Sequence, residues 1–325
     1  MDEFRIAYYD ELDDVLQLTS LYYLSLNWPA TQEILEEKRQ NDDRYVPEFG
    51  MFAVTNDGTV TGGVFLMQIP TRTLHGKLIV GGINAVATRP GFQRRGVMTT
   101  LMTRCHKYFD EHQIDYSFLT TSQSLGAHSM YKKLGYKDLV VREMAWKLPE
   151  KSLQLNKGFV VANFQEGNDL DVYKIFREAT KDSYGFVYRP TNFLKARTNG
   201  PFPKPSPLEK MRLARRDDKI TGYAYWESST HFSICMEILA LDKSSFMSLL
   251  ADAETRFENK VLAIHCTGLG NREIAWLQSA HYNSRVQTYG TVMAKSIRGR
   301  TSLENIASLF AVDKGLFRMG VWDFT

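Results

Sequence analysis

The stretch from Leu78 to Phe109 constrains the fold more than any other part of the sequence. Leu78 to Thr88 is rich in branched and small residues, which predicts a buried strand. Arg89-Pro90-Gly91 ends that strand, and the apolar positions from Val97 onward predict one face of a helix of about four turns. The basic loop Gln93-Arg94-Arg95-Gly96 therefore leads from a strand straight into a helix. The first amides of such a helix form an anion site, and a diphosphate is the obvious biological anion.

The composition limits the classes of protein to which the chain can belong. Its 325 residues, 43% of them apolar and 24% charged, suit a globular protein of about two domains. The net charge of +3 is small and no basic stripe alternates with aromatic residues, so we expect no nucleic-acid partner. Cys105, Cys235 and Cys266 are scattered, which predicts neither a metal site nor disulfides and favours the cytoplasm. The sequence shows no signal-peptide pattern or membrane-spanning apolar run, so we expect no membrane partner.

The same order of predicted elements occurs twice along the chain. The first half reads as a strand, two helices, three strands, a helix, a strand, a helix and a closing strand. The second half, from about Gly158 to Ile297, repeats this order with one helix fewer. The turn Thr121 to Gly126 and the later turn Thr267 to Gly270 also correspond. The pattern indicates an internal duplication and two similar domains.

Two motifs in the first half resemble those of the GCN5-related N-acetyltransferases (GNATs). Gln93 to Met98, preceded by Ala85 to Pro90, is similar to the acetyl-CoA loop of that family. Ser129 to Tyr136 looks like its second signature, the helix that carries a tyrosine beside the thioester. Met98 stands where glycine or alanine is usual. This departure, together with the tandem domains, resembles the "enhanced intracellular survival" (Eis) acetyltransferases.

The resemblance implies an α/β (α+β) fold of two tandem GNAT-like domains. Each domain is expected to be a mixed, mostly antiparallel sheet flanked by helices. Residues 1–150 would bind acetyl-CoA, residues 151–298 would form a degenerate second domain, and residues 299–325 would form a C-terminal helix and tail. This tail is too short for the sterol-carrier-like third domain of the Eis relatives.

The resemblance and the chemistry of acetyl transfer together assign the cofactor-binding residues. The amides from Arg94 to Thr99 would bind the diphosphate, and the strand edge from Val86 to Thr88 would pair with the pantetheine amides. Acetyl-CoA is the expected co-substrate, and no metal is expected. The full predicted set is Val86, Ala87, Thr88, Arg94, Arg95, Gly96, Val97, Met98, Thr99, Gly126 and Ala127.

Tyr131 is the candidate general acid for the departing thiolate. A phenol with a pKa near ~10 is reasonably matched to a thiol with a pKa near ~8.5. The alternative is that Tyr131 is only a buried aromatic residue of its helix. For the general base, the resemblance implies the C-terminal carboxylate of Thr325, and Asp323, Glu143 or a chain of water molecules are the alternatives.

The second half lacks the residues of the anion loop. After the corresponding strand the chain reads Lys243-Ser244-Ser245-Phe246, without a glycine or a basic doublet. We therefore expect that residues 151–298 do not bind CoA. In the resembling family the equivalent half shapes the amine site, and the same role is expected here.

The sequence thus predicts an N-acetyltransferase that moves an acetyl group from acetyl-CoA to a primary amine by direct attack in a ternary complex. Two alternatives stay open: an acyltransferase that uses a different acyl donor, and a non-catalytic CoA- or ligand-binding regulatory protein on the same fold. The expected partner is a small-molecule or peptide amine, and self-association into a homo-oligomer is left open. Aminoglycosides, polyamines, small metabolites and protein lysines all remain candidate acceptors.

Overall fold

The fold is described from a computed structural model of the chain. It covers residues 4–150, 153–191, 193–194, 210–299 and 302–323, except for the side chains of residue 143 and of residues 285–289. Thr325, the expected general base, and the side chain of Glu143, one of its alternatives, therefore lie outside the described part of the chain.

The first half alternates strands and helices in the predicted order. Thr31, followed by Glu33 and Glu36, predicts a helix N-cap, and its hydroxyl accepts a hydrogen bond from the amide of Ile34 at the start of the second helix. The elements are β1 (Phe4–Tyr8), α1 (Leu16–Leu26), α2 (Gln32–Asn41), β2 (Tyr45–Thr55), β3 (Val60–Thr73), β4 (Gly76–Thr88), α3 (Val97–Glu111), β5 (Tyr116–Thr121), α4 (Gly126–Lys133) and β6 (Lys137–Lys147).

Helix α1 begins later than the apolar pattern predicts. The apolar positions from Leu12 to Leu26 predict a helix that starts near Glu11, whereas Tyr9–Glu11 form a separate 3-10 turn. The carboxylate of Asp14 accepts a hydrogen bond from the amide of Leu16 at 3.0 Å. This contact satisfies an amide at the helix start, so the regular α-helix begins at that residue.

The second half repeats the element order of the first. Its strands β9 and β10 are joined by Asp217 and Asp218, whose φ angles of 48° and 60° suit the tight turn of a hairpin. The elements are β7 (Phe159–Asn163), α5 (Asp169–Ala179), β8 (Tyr184–Gly185), β9 (Met211–Arg216), β10 (Lys219–Ser228), β11 (Phe232–Ala240), α6 (Lys243–Arg256), β12 (Val261–His265), α7 (Asn271–Ser279), β13 (Asn283–Ser296), α8 (Leu303–Leu309) and β14 (Phe317–Arg318).

The sheets of the two halves are joined into one continuous sheet. The strand order is β1-β2-β3-β4-β5-β13-β6-β12-β11-β10-β9-β7. Along this path β4–β5 and β11–β12 are parallel and the other pairs are antiparallel, so each half has the expected mixed, mostly antiparallel sheet. Strand β13 of the second half lies between β5 and β6 of the first, with Thr291 opposite both Thr121 and Val141. Strand β6 in turn pairs with β12, which connects the two halves.

The inserted strand β13 contributes to the hydrophobic core on both faces of the first-half sheet. Val292 belongs to the core that α1, α2 and α8 cover, together with Phe65 and Phe118. The next residue, Met293, belongs to the core under α3 and α4, together with Leu101. Because successive side chains of a strand point to opposite faces, one strand fills both cores. The first half is therefore completed by residues close to the C-terminus.

The C-terminal segment is held between the two halves. Asp323 is 2% exposed, and its carboxylate accepts from the guanidinium of Arg189 at 3.0 Å and from the amide of Gly320 at 2.6 Å. Arg189 also forms a two-pronged ion pair with Glu237 at 2.9 and 2.6 Å. From the first half, the guanidinium of Arg44 donates to the carbonyl oxygen of Asp323 at 3.2 Å. The segment is thus fixed by buried charged groups of both halves.

Candidate functional site

Strands β4 and β5 separate where the predicted pantetheine edge begins. They pair only at Gly81 with Ser117 and at Gly82 with Phe118. Beyond this point β4 has a bulge, because Ala85 and Val86 together oppose one residue of β3, Val64, and Ala85 adopts a φ of 49°. The part of β4 that contains Val86, Ala87 and Thr88 therefore does not pair with β5, and it faces the gap between the two strands. This gap is suited to an extended ligand that pairs with the backbone.

The loop after β4 is exposed and is built from residues with positive φ angles. Gly91, Arg94 and Gly96 have φ values of 91°, 64° and 83°. Arg94 and Arg95 are exposed, and the guanidinium of Arg95 lies 5.1 Å from the centre of the Phe92 ring. Two basic side chains thus lie beside the start of α3, where they add positive charge.

Helix α3 starts without a side-chain cap. Its N-cap residue is Gly96, which has no side chain to accept from the amides of Val97, Met98 and Thr99. These first-turn amides have no partner within the helix, and the helix dipole makes this end partly positive. The end of α3 also lies close to the sheet, because a Cβ on Gly62 would come within 2.6 Å of the Val97 side chain. The predicted anion loop therefore has the geometry of an anion site.

Tyr131 lies on α4, on the same face of the sheet as the loop. It is 5% exposed, and its hydroxyl forms no hydrogen bond with any residue that the structure describes. Burial raises the pKa of this phenol above its usual value, so that it stays protonated at neutral pH. Val86, Met98 and Ala127 pack against the same core cluster as Tyr131. The structure thus brings the predicted strand edge, loop and acid together.

The start of α4 is open toward this side. Gly126 is exposed and Ala127 is half-buried, and the N-cap residue Leu125 makes no side-chain cap. A Cβ on Gly126 would meet no atom within 4 Å, so this glycine is not required by packing within the protein. These observations are compatible with the predicted approach of a ligand to the helix start.

Asp323 does not have the geometry of a general base. Its carboxylate is buried and accepts hydrogen bonds from the guanidinium of Arg189 and the amide of Gly320. These contacts hold the C-terminal segment in place and leave the carboxylate engaged within the protein. Among the described residues, no group of three or more His, Cys, Asp or Glu side chains could hold a metal ion. No described helix is both long and apolar enough to cross a membrane.

The helix of the second half that corresponds to α3 is closed to an anion. Helix α6 has Asp242 as its N-cap, and the carboxylate accepts from the amide and from the hydroxyl of Ser245 at 2.8 and 2.9 Å. A negatively charged side chain therefore already occupies the positive end of this helix. A diphosphate at the same position would be repelled. The sequence indicated the missing glycine, and the structure adds the aspartate cap as a second reason.

A Gly96→Ala substitution should weaken acetyl-CoA binding by about tenfold, or about 1.4 kcal/mol. The φ of 83° disfavours any residue with a Cβ, and a Cβ would meet no protein atom within 4 Å, so the expected loss comes from a changed loop backbone and from crowding of the predicted diphosphate. Isothermal titration calorimetry measures the change.

A Gly58→Ala variant is the matched control. Gly58 has a φ of 85°, and a Cβ there also meets nothing within 4 Å, but it lies in the β2–β3 turn. Both variants should lose a similar amount of stability, about 1 kcal/mol. Equal acetyl-CoA affinities for the two variants would contradict the assignment of the loop.

The comparison with known families agrees with this geometry. A family model described as an acetyltransferase (GNAT) domain matches residues 3–138. No curated protein matches the sequence significantly. The matched residues contain the β4 bulge, the loop, Tyr131 and the start of β6, so the match covers the assembled site.

Solved structures share the fold of both halves. A conserved protein from Enterococcus faecalis, described as a probable N-acyltransferase, is 13% identical, with a TM-score of 0.68 over 91% of this chain and 73% of that one. Eis1 from Mycobacterium abscessus is 14% identical, with a TM-score of 0.57 over 91% and 74%. A tandem GNAT protein from the clavulanic acid biosynthesis pathway is 12% identical, with a TM-score of 0.57 over 92% and 100%. At these identities the likeness is one of fold, and it confirms the predicted fold of two tandem GNAT-like halves.

Proposed function

We propose that the protein, of which residues 3–138 match the model of a GNAT acetyltransferase domain, is an N-acetyltransferase that uses acetyl-CoA to acetylate a primary amine directly in a ternary complex. The observation that carries this proposal is the start of α3, where Gly96 is the N-cap and no side chain caps the first amides. This helix start follows the part of β4 that does not pair with β5, and it lies on the same face of the sheet as Tyr131.

The residues of the first half would hold acetyl-CoA along its length. The amides from Arg94 to Thr99 and the two arginine side chains bind the diphosphate. The edge from Val86 to Thr88 pairs with the pantetheine arm in the gap beside β5. Gly126 and Ala127 leave room for the cofactor at the start of α4. This arrangement places the thioester on the side of the sheet where Tyr131 lies.

The proposed reaction needs one proton removed and one supplied. The neutral amine attacks the thioester carbonyl carbon, and the tetrahedral intermediate collapses with cleavage of the carbon–sulfur bond. Tyr131 donates its proton to the departing thiolate, a role that suits a buried phenol whose hydroxyl bonds to none of the described residues. The resemblance to the Eis type implies the carboxylate of Thr325 as the base that deprotonates the amine.

The second half is proposed to shape the acceptor side rather than to bind a second cofactor. Asp242 closes the equivalent anion position on α6. The acceptor class is left to experiment among aminoglycosides, polyamines, small metabolites and protein lysines.

Acetyl-CoA should bind with a stoichiometry of one per chain. At 100 times its Kd it should stabilise the folded protein by about 2.7 kcal/mol, visible as a rise in Tm. Calorimetry measures the stoichiometry and thermal denaturation measures the shift. The absence of both binding and a shift would contradict the proposal, and a stoichiometry of two would contradict the closed second half. An Asp242→Asn variant removes the negative charge at the start of α6 and keeps an oxygen that can accept from the helix amides. Its Kd for acetyl-CoA at the first-half site should equal that of the native protein.

An acceptor screen tests the reaction itself. Kanamycin, spermidine, free lysine and a lysine-containing peptide are each incubated with acetyl-CoA, and thiol release and the acetylated product are measured. Replacing acetyl-CoA with longer acyl-CoAs in the same screen tests the alternative donors. Tight binding of acetyl-CoA without amine-dependent thiol release would favour the non-catalytic, ligand-binding alternative.

A further inference from the structure

Lys295 of the second half reaches the end of the helix that carries Tyr131. Lys295 lies on β13, and its ammonium group donates to the carbonyl oxygen of Leu134 at 2.7 Å. It also lies 3.1 Å from Nδ1 of His106 on α3. Leu134 is the C-cap residue of α4, where backbone carbonyls have no partner within the helix. A cation at this end of a helix is favourable for the helix dipole as well.

The end of α4 is a closed motif that includes Tyr131 itself. The amide of Tyr136 donates to the carbonyl of Tyr131, and the amide of Gly135 donates to the carbonyl of Lys132, each at 3.0 Å. Gly135 has a φ of 90°, the left-handed conformation that this type of helix end requires. The backbone position of Tyr131 is therefore tied to that of Tyr136.

Tyr136 is in turn fixed by a buried hydrogen-bond network. Its hydroxyl lies 2.7 Å from the hydroxyl of Ser117 and 3.0 Å from Nε2 of His106. Its ring packs edge-to-face against the ring of Tyr131, with centroids 6.0 Å apart. A network of this kind holds its members in one arrangement only when every group is satisfied.

Lys295 sets the direction of this network. An ammonium group can only donate, so Nδ1 of His106 must accept and its Nε2 must carry the proton. Nε2 then donates to the hydroxyl of Tyr136, which donates to Ser117. Burial and the neighbouring charge of Lys295 lower the pKa of His106 to about 3, which keeps the imidazole neutral as this arrangement requires. Removal of Lys295 would leave both the Leu134 carbonyl and the His106 ring without this donor.

We propose that Lys295 is a positioning residue: by holding the end of α4 and orienting the His106–Tyr136–Ser117 network, it fixes the proposed general acid Tyr131 at the thioester. The inference rests on the proposed function, since it assigns Lys295 a role through Tyr131. It also makes the reaction in the first half depend on a side chain of the second half.

A Lys295→Met variant tests this role, because methionine keeps an unbranched apolar stem and removes the donor. In the otherwise native protein, kcat with the best amine of the panel should fall about tenfold, within the range expected when a reacting group is slightly misplaced. In a Tyr131→Phe background the same substitution should change kcat by less than about twofold, since a residue that acts through Tyr131 has nothing left to position. The Kd of acetyl-CoA should stay within about twofold in both backgrounds.

Hydrogen–deuterium exchange gives a readout that needs no acceptor. Segment 126–136 should exchange at least about fivefold faster in Lys295→Met, while α3 keeps its protection. Lys133→Met is the matched control, since Lys133 is exposed on the last turn of α4, and it should change neither exchange nor kcat. Lys295→Arg, which keeps a cationic donor and tests the role without loss of charge, should retain most of the activity.

The outcomes separate this inference from the proposed function. An equal loss of kcat in both backgrounds, or unchanged exchange of segment 126–136, would overturn the role of Lys295 and leave the acetyltransferase proposal standing. An unchanged kcat in Tyr131→Phe alone would overturn the acid assignment, and with it the role of Lys295 in positioning that acid.

Discussion

Replacing Tyr131 with phenylalanine should lower kcat for amine acetylation by about 10²-fold, the lower end of what general acid catalysis contributes. The substitution removes one hydroxyl that makes no hydrogen bond with the described residues, and it keeps the ring packed against Tyr136. Folding and acetyl-CoA binding should therefore persist. Steady-state kinetics with the best amine of the panel and calorimetry with acetyl-CoA measure the two effects separately.

Tyr173→Phe is the matched control for this loss. Tyr173 lies on α5 in the second half, and its hydroxyl accepts a hydrogen bond from Arg177, so the variant removes a phenol far along the chain from the loop. Its kcat should stay at the native value. A Tyr131→Phe enzyme with native kcat would show that Tyr131 is only the buried aromatic residue of the alternative interpretation.

The pH dependence of the native enzyme offers a second check on Tyr131. Burial raises the pKa of its phenol, so the proton needed for catalysis is retained at pH values above the ordinary value near ~10. Deprotonation of Tyr131 should therefore not reduce kcat at or below pH ~10. A decline of kcat centred near pH 8 that vanishes in Tyr131→Phe would contradict the raised pKa.

The parts of the site that the sequence predicts are those that depend on local signals. Glycine, proline and the apolar period define the strand, loop and helix from Leu78 to Phe109 without reference to the rest of the chain. The same is true of Thr31 as a cap and of Tyr131 on its helix. Each of these signals lies within a few residues of the feature that it predicts.

The parts that the sequence does not predict depend on pairings between distant residues. Both β6 and β13 read as strands, but alternation of apolar residues gives the buried faces of a strand and not its neighbours in a sheet. Lys295 meets Leu134 across 161 residues, and Arg44 meets Asp323 across 279. No spacing or composition signal marks such contacts, and a lysine near the C-terminus reads as a solvated charge.

The helices α3 and α6 differ in whether their first-turn amides are left open to an anion. The two helices occupy equivalent places in the element order, directly after β4 and β11. Helix α3 has Gly96 as its N-cap, so its first amides have no side-chain acceptor. Helix α6 has Asp242 as its N-cap, and the carboxylate accepts from the amide of Ser245. A carboxylate stabilises a helix start by about 0.5–2 kcal/mol and removes the anion site at the same time. Helix stability and anion binding therefore compete at this position. Asp242 favours the stability of α6, and Gly96 leaves the start of α3 open to an anion.

A fragment of residues 1–150 should not fold without the second half. It lacks β13, so β5 and β6 lose their common partner, and the two cores lose Val292 and Met293. Two unpaired strands and two opened cores favour aggregation over a native fold. We expect an insoluble or uncooperatively unfolding fragment that does not bind acetyl-CoA, measured by circular dichroism and calorimetry. Co-expression with residues 153–325 should restore a soluble complex that binds acetyl-CoA.

Co-expression with residues 153–282 isolates the contribution of the inserted strand. This partner keeps β12, which pairs with β6, but ends before β13 and the C-terminal segment. It should fail to restore binding, because β5 remains an open edge and the two cores still lack Val292 and Met293. Two results would contradict the need for β13 in folding the first half. One is rescue by this shorter fragment, and the other is cooperative unfolding and acetyl-CoA binding by residues 1–150 alone. Because β13 supplies backbone pairing, core side chains and Lys295 together, its loss should remove acetyl-CoA binding through folding, whereas Lys295→Met should lower kcat without weakening acetyl-CoA binding.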